Sequence, residues 1–255
     1  MRLSGKVAII TGADTGIGKG ITKCLAAEGA AVAIGYLGER QPADDLAEEI
    51  NRAGGRAIAV ALDVTELNQI DECIEQTVSK FGKVDIFVNN AGMEVKQPFL
   101  EIPYDIYSKT IAVDLTGPWV CAQKAAQRMV KQGHGGRIIN ISSVHEDLPM
   151  PTNAAYCAAK GGLRMMMRTI AVELAKEKIL VNNIGPGAVD TPMDAPLKAD
   201  PERMAALLAE IPLGRMGTPD EIGLLAVYLA SDEASYVTGH TFFIDGGMMR
   251  QSGSL

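Results

Sequence analysis

The chain has 255 residues, of which 47% are hydrophobic and 22% charged, proportions of a globular protein that can bury a sizeable core. Its formal net charge of −7 argues against the basic face of a nucleic-acid binder, and no apolar run approaches the roughly 20 residues that cross a bilayer. The opening residues Met1 to Lys6 carry no signal-peptide apolar core, so a cytoplasmic location is expected. Cys24, Cys73, Cys121 and Cys157 lack the spacing of metal ligands or of a redox pair. They are expected to be free thiols on helices, and no metal site is expected.

Short apolar runs rich in β-branched residues predict strands over Val7–Ile10, Ala31–Ile34, Ala57–Leu62, Ile86–Val88, Arg137–Ile141, Ile179–Ile184 and Thr241–Ile244. Between them, amphipathic patterns predict helices over Ile17–Glu28, Asp44–Ala53, Leu67–Phe81, Tyr104–Val130 and Ala155–Lys176. Alternation of this kind predicts an α/β fold: a doubly wound, Rossmann-type parallel sheet with helices on both faces. With no linker or repeat in sight, residues 1–255 are expected to form a single domain. Prolines 192, 196, 201 and 212 surround a short helical stretch. They predict a substrate-loop insertion at about 190–215 over the crevice at the carboxyl ends of the strands.

The first strand leads into Thr11-Gly12-Ala13-Asp14-Thr15-Gly16-Ile17-Gly18 and then a helix. Glycines let backbone N–H groups approach a pyrophosphate, and the helix offers it a positive end. Gly12, Asp14, Thr15, Gly16, Ile17 and Gly18 are therefore candidate cofactor contacts. Further along, Tyr156 and Lys160 stand at i and i+4 and share one helix face. A nearby ammonium favours the phenolate, so Tyr156 is a candidate acid/base for an alcohol that loses hydride from the same carbon. The hydroxyl of Ser143, at the end of a predicted strand, is placed to bind the substrate oxygen.

The glycine spacing, Ser143 and Tyr156-Cys157-Ala158-Ala159-Lys160 resemble the short-chain dehydrogenase/reductase family along essentially the whole chain. The resemblance implies an NAD(P)-dependent oxidoreductase and selects Ser143 over Ser142 as the catalytic serine. It implies cofactor contacts from Asp63-Val64, from Asn90 and Gly92 in Asn89-Asn90-Ala91-Gly92, and from Gly187, Val189 and Thr191 in the Pro186–Pro192 segment. Lys160 would also hold the nicotinamide ribose, beside Tyr156. Where the family usually carries an asparagine that supports a proton relay, this chain has Asp114. The exchange either retunes that relay or is neutral. The family also implies a homotetramer built on the two long helices, with a second interface from Gly246 onward.

An NAD enzyme of this type ends its second strand with an acidic residue on the ribose 2′-hydroxyl. Here Tyr36 stands at that place and Arg40 follows, so use of both NADP and NAD is expected, with a lean to NADP. Within the family the chain is most similar to glucose 1-dehydrogenases, through segments such as Ala91-Gly92-Met93-Glu94 and Ser142-Ser143-Val144-His145-Glu146. That resemblance implies oxidation of D-glucose or a similar aldose at C1, with Glu94, His145 and Asp194 on the sugar alongside Ser143. Alternatives are a 3-oxoacyl carrier-protein reductase, another ketone or polyol dehydrogenase, or a non-catalytic cofactor-binding scaffold. The acidic residues Glu94, Glu101 and Asp105 disfavour an acidic carrier protein as partner.

Overall fold

The computed structural model describes residues 1–250. Among the described residues, seven strands form one parallel sheet: β1 (Val7–Ile10), β2 (Ala31–Tyr36), β3 (Arg56–Ala61), β4 (Ile86–Asn89), β5 (Gly136–Ile141), β6 (Ile179–Pro186) and β7 (Thr241–Ile244). Their spatial order is β3-β2-β1-β4-β5-β6-β7. The direction of winding reverses between β1 and β4, and a crevice opens there at the carboxyl ends of the strands.

Helices cover both faces. Strand residues alternate between two cores: Ala8, Ile10, Val32, Ile34 and Val88 face α1 (Gly16–Ala27), α2 (Gln41–Arg52) and a late helix, Pro219–Ala230. Ile9, Ala33, Phe87, Ile138 and Val181 face α3 (Leu67–Phe81) and two long helices described next. This period of two, with both sides apolar, is why the strands read as continuous hydrophobic runs.

The helix expected over Tyr104–Val130 is three pieces: α4 (Tyr104–Ile111), a π-helical turn (Ala112–Thr116) and α5 (Gly117–Gln132). Pro118 has no N–H to give to the carbonyl of Asp114, and the wider turn lies where that bond would form. The Ala155–Lys176 expectation corresponds to α6 (Ala154–Leu174) and a short 3₁₀ turn. β2 and β6 each run two residues beyond their predicted ends. Both extensions cross a glycine, Gly35 or Gly185, which reads as a break but here lets neighbouring chain approach closely.

The insertion at 190–215 holds a 3₁₀ turn (Pro192–Asp194), α7 (Ala195–Lys198) and α8 (Pro201–Ala209). The Pro219–Ala230 helix, α9, was not among the expected elements. Its start is a capping box in which Thr218 and Glu221 exchange side-chain and backbone hydrogen bonds, with Pro219 in the first turn. No helix among the described residues is long and apolar enough to cross a membrane. The C-terminal interface segment expected from Gly246 onward lies outside the described residues beyond Arg250.

Phe87 is among the largest fully buried side chains and packs into the core facing α3. Phe87→Ala should lower unfolding free energy by about 3–5 kcal/mol, read from urea denaturation.

Candidate functional site

The turns after β1 and β4 are fastened to each other. Thr11 Oγ1 accepts from the N–H groups of Asn90 (2.9 Å) and Ala91 (2.8 Å), and Asn90 Nδ2 donates to the carbonyls of Thr11 (2.9 Å) and Gly12 (2.8 Å). The glycine-rich turn is thereby held over the crevice. Gly18 has no room for a side chain: a Cβ there would lie 2.1 Å from the Gly12 carbonyl oxygen. The helix it opens has Thr15 as N-cap with no side-chain cap bond, so its first N–H groups stay available to an anion.

A cleft of about 840 Å³ runs from this turn to Ser143, Tyr156 and Lys160. Of the expected cofactor contacts, Gly12, Asp14, Thr15, Gly16, Ile17, Gly18, Asp63, Val64, Asn90, Gly92, Gly187 and Thr191 line it. So do Asp114, Ser143, Tyr156, Lys160 and Glu94. The donor set fits a dinucleotide: a bare-backbone cradle at one end, a carboxylate midway at Asp63, and titratable groups at the other end.

Other expected contacts sit elsewhere. The Tyr36 side chain follows Ile34 onto the same face of β2 and packs into the core; Leu37, the next residue, lines the cleft in its place. Arg40 turns away and pairs with Asp44 at 2.8 Å on the first turn of α2. Val189 is buried, bridged to Gly217. Asp194 Oδ2 accepts from Thr191 N (3.1 Å) and Oγ1 (2.7 Å), closing a cap instead of facing the cleft. His145 lies just off the lining, its Nδ1 3.2 Å from the Leu148 carbonyl. Met93, Lys109 and Met193 line the cleft without having been expected there. Met93 was open to discovery, since it directly follows the Gly92 already singled out.

At the other end of the cleft, Tyr156 and Lys160 project from the first turns of α6, and Lys160 Nζ is 5.3 Å from the Tyr156 ring centroid. Lys160 is only 4% exposed. Its ammonium donates to the Ile141 carbonyl at 3.2 Å and lies 3.1 Å from Asp114 Oδ1. Asp114 is fully buried, and its Oδ2 accepts from Met93 N at 3.1 Å. Ser143, two residues beyond β5, is in extended conformation and caps the 3₁₀ turn Val144–Glu146, its Oγ accepting from His145 N at 3.1 Å. Glu94 Oε1 accepts from Asn153 Nδ2 at 2.8 Å and lies 3.2 Å from Lys96 Nζ.

Burial pushes the Tyr156 phenol above the ordinary tyrosine value, outweighing the downward pull of Lys160 and of a hydrogen bond with Ser143. The sequence led to the expectation of a lowered value. The ammonium does act downwards, but Asp114 and Glu94 act upwards with burial. Burial opposes the charge on Lys160, yet Tyr156 and Asp114 together hold it above the ordinary lysine value. Burial likewise lifts the Asp114 carboxyl, against Lys160 and the Met93 N–H.

The family model described as enoyl-(acyl carrier protein) reductase matches residues 12–249. The chain is 41% identical to 3beta-hydroxysteroid dehydrogenase 1 of Eggerthella lenta, over 96% of this chain and 94% of that protein. It is 38% identical to glucose 1-dehydrogenase 2 of Bacillus subtilis, over 96% and 95%. A crystal structure of a gluconate 5-dehydrogenase from Burkholderia cenocepacia, in complex with NADP and tartrate, superposes with a TM-score of 0.92 at 35% identity, covering 98% of this chain and 97% of that one.

Two outcomes follow from this geometry. Gly18→Ala forces a methyl against the Gly12 carbonyl, and should weaken NADPH binding by about tenfold or more in a fluorescence titration. Asp114 raises the Tyr156 pKa through its charge. Alcohol oxidation needs the deprotonated phenol, so its rate rises as pH passes that pKa. Asp114→Asn removes the upward push, and the rise in kcat/KM should come at lower pH than in the wild type.

Proposed function

The chain belongs to the short-chain dehydrogenase/reductase family, and on that footing we propose that it oxidises the C1 hydroxyl of D-glucose or a similar aldose to the lactone. It is an NAD(P)-dependent oxidoreductase by family. The observation that carries the catalytic reading is the convergence of Ser143, Tyr156 and Lys160 at one end of a glycine-cradled cleft.

Bound in the cleft, the oxidised nicotinamide supplies the hydride acceptor and a positive charge. The chain's own groups do the rest. Gly12 to Gly18 cradle the pyrophosphate, Asp63 and Val64 take the adenine, and Asn90, Gly92, Gly187 and Thr191 enclose the nicotinamide half, with Val189 buried behind them. Ser143 Oγ orients the reacting hydroxyl. Tyr156 accepts its proton, and Lys160 stabilises the phenolate that results and holds the cofactor ribose. Asp114 adds to the support that Tyr156 gives the Lys160 charge in a buried site.

Glu94 supports a sugar substrate. Its ties to Asn153 and Lys96 both fall on Oε1, which leaves Oε2 for a substrate hydroxyl. His145 is anchored through Nδ1, which leaves Nε2 for another. Asp194 contributes by capping the segment that carries Thr191 and Met193. A second reading is an apolar secondary alcohol or ketone, favoured by Met93 and Met193 in the lining and by the hydroxysteroid relative.

For the cofactor we propose dual use with a lean to NADP. No carboxylate from the end of β2 lines the cleft beside Leu37 to repel a 2′-phosphate, and Arg40 would exchange Asp44 for it. A homotetramer is proposed on the outer surfaces of α5 and α6, where Trp119, Met165 and Val172 are exposed.

The test is the initial rate of absorbance rise at the reduced-nicotinamide band with D-glucose and NADP+ or NAD+. A saturable rate, greater with NADP+ and reduced by about a thousandfold or more in Tyr156→Phe, is expected. No rate with glucose but turnover of a 3β-hydroxysteroid would transfer the assignment to the second reading. Tyr156→Phe at full activity would remove Tyr156 as the base.

A further inference from the structure

A buried glutamate outside the catalytic group stands at the end of a continuous row of amides. Asn89, Asn140 and Asn183 lie directly opposite one another on β4, β5 and β6. Asn89 Nδ2 donates to Asn140 Oδ1 at 2.8 Å, and Asn140 Nδ2 donates to Asn183 Oδ1 at 2.9 Å. Asn183 Nδ2 then donates to Glu146 Oε2 at 3.3 Å. All three amides donate in one direction, and the row terminates on the carboxylate. Such a chain is polarised towards its acceptor and orders the groups along it.

Glu146 is 6% exposed. The same Oε2 accepts a 2.5 Å hydrogen bond from Ser142 Oγ, while Oε1 is buried and has no hydrogen-bond partner among the described residues. Burying a carboxylate beneath a sheet edge is costly, and an apolar residue of similar size would fill the space without that cost. What the carboxylate secures is the end of β5. Ser142 is pinned by its hydroxyl to Glu146 and by its N–H to the Ile184 carbonyl at 2.7 Å. Glu146 N returns to the Ser143 carbonyl at 3.1 Å. Immediately before this pinned segment, the Ile141 carbonyl receives the Lys160 ammonium.

We propose that Glu146 is a positioning residue for hydride transfer: by terminating the asparagine row and clamping Ser142, it fixes residues 141–143, and with them the Ser143 hydroxyl and the carbonyl that anchors Lys160. This rests on the reading of Ser143, Tyr156 and Lys160 as the reacting group. Glu146 touches none of the reacting atoms. Its main effect falls on their geometry, where a displacement well below an ångström is enough to slow the chemical step, and its charge adds weakly to the field that favours the Lys160 ammonium.

The test compares Glu146→Leu, which removes the acceptor at similar volume, with Glu146→Gln, which keeps it. Turnover is read on D-glucose, gluconate or a 3β-hydroxysteroid, with Tyr156→Phe as the control. Glu146→Leu should lower kcat by about tenfold or more while the NADPH Kd stays within about twofold, and Glu146→Gln should recover kcat to within about threefold. Hydrogen exchange needs no substrate. In Glu146→Leu the amides of Ser142 and Glu146 should lose protection while those of β1 and β2 keep theirs. Unchanged kcat in Glu146→Leu, glutamine as damaging as leucine, or unchanged local protection would overturn the proposal. If Glu146→Leu does not fold, Ser142→Ala decides: a lowered kcat at unchanged NADPH Kd supports the clamp, and wild-type kcat overturns it. Full turnover in Tyr156→Phe would instead sink the underlying catalytic reading, and the exchange data would still decide whether Glu146 holds the segment.

Discussion

A lysine ammonium removed from water is the constraint around which the catalytic end is built. Taking such a charge into a protein interior costs several kcal/mol unless an opposite charge and hydrogen bonds replace the solvent. Lys160 obtains them from three directions: Asp114 on the π-helical turn, the Ile141 carbonyl at the end of β5, and the face of the Tyr156 ring one turn before it on α6. Three elements must therefore meet at one nitrogen. The break in the expected long helix becomes intelligible on these terms. Pro118 denies the Asp114 carbonyl its usual helical partner, the turn widens, and the Asp114 side chain lies fully buried beside the ammonium. Gly92 must remain bare for the same reason, since a Cβ there would stand 2.8 Å from Asp114 Oδ1.

The nucleotide end obeys a different rule. It is made by backbone, and side chains serve mainly to hold that backbone still. Thr11 and Asn90 lock two strand ends together across the winding reversal, and Gly18 leaves the turn flat against the Gly12 carbonyl. The cradle itself offers no side chain for a neighbour to capture, whereas Asp63 Oδ1 and Arg40 are held by Thr65 and Asp44. The two ends differ accordingly in how they tolerate change: the cradle fails by steric overlap, the catalytic end by the loss of charge balance.

That difference also decides what could be read in advance. The sheet, its helices and the glycine turn are written in periodicity and in residue types that leave the backbone little choice, and Val7–Ile10, Leu67–Phe81 and Thr241–Ile244 occur with the bounds expected from sequence. Tyr156 and Lys160 were legible as a pair because i, i+4 spacing on a helix dictates proximity, while Ser143 was distinguished from Ser142 by the family resemblance alone. Tyr36 and Arg40 were placed by position in the chain alone. The alternation of β2 carries Tyr36 into the core, and Asp44, one turn along the same helix, captures Arg40. The row from Asn89 to Glu146 could not be seen, because it runs across strands whose register the sequence does not state. The capping box of α9 was available at Thr218 and Glu221, but lay beyond a proline-rich stretch that read as a loop with one short helix.

Substrate recognition is where the chain's own side chains have most freedom, and each candidate there is already committed to a neighbour. Glu94 is held by Asn153, the N-cap residue of the helix that carries Tyr156. His145 is tied to Leu148, and Asp194 to Thr191. Asp194 is spent on its cap, whereas the ties of Glu94 and His145 fix which atom of each is left without that partner. A carboxylate anchored through one oxygen presents the other in a defined direction, and an imidazole anchored through Nδ1 presents Nε2. The same scaffold hosts many substrates within this family, and on the proposed sugar reading discrimination would rest on such second atoms, foremost Glu94 Oε2. The link from Glu94 through Asn153 to the start of α6 gives this discrimination a direct mechanical route to the position of Tyr156.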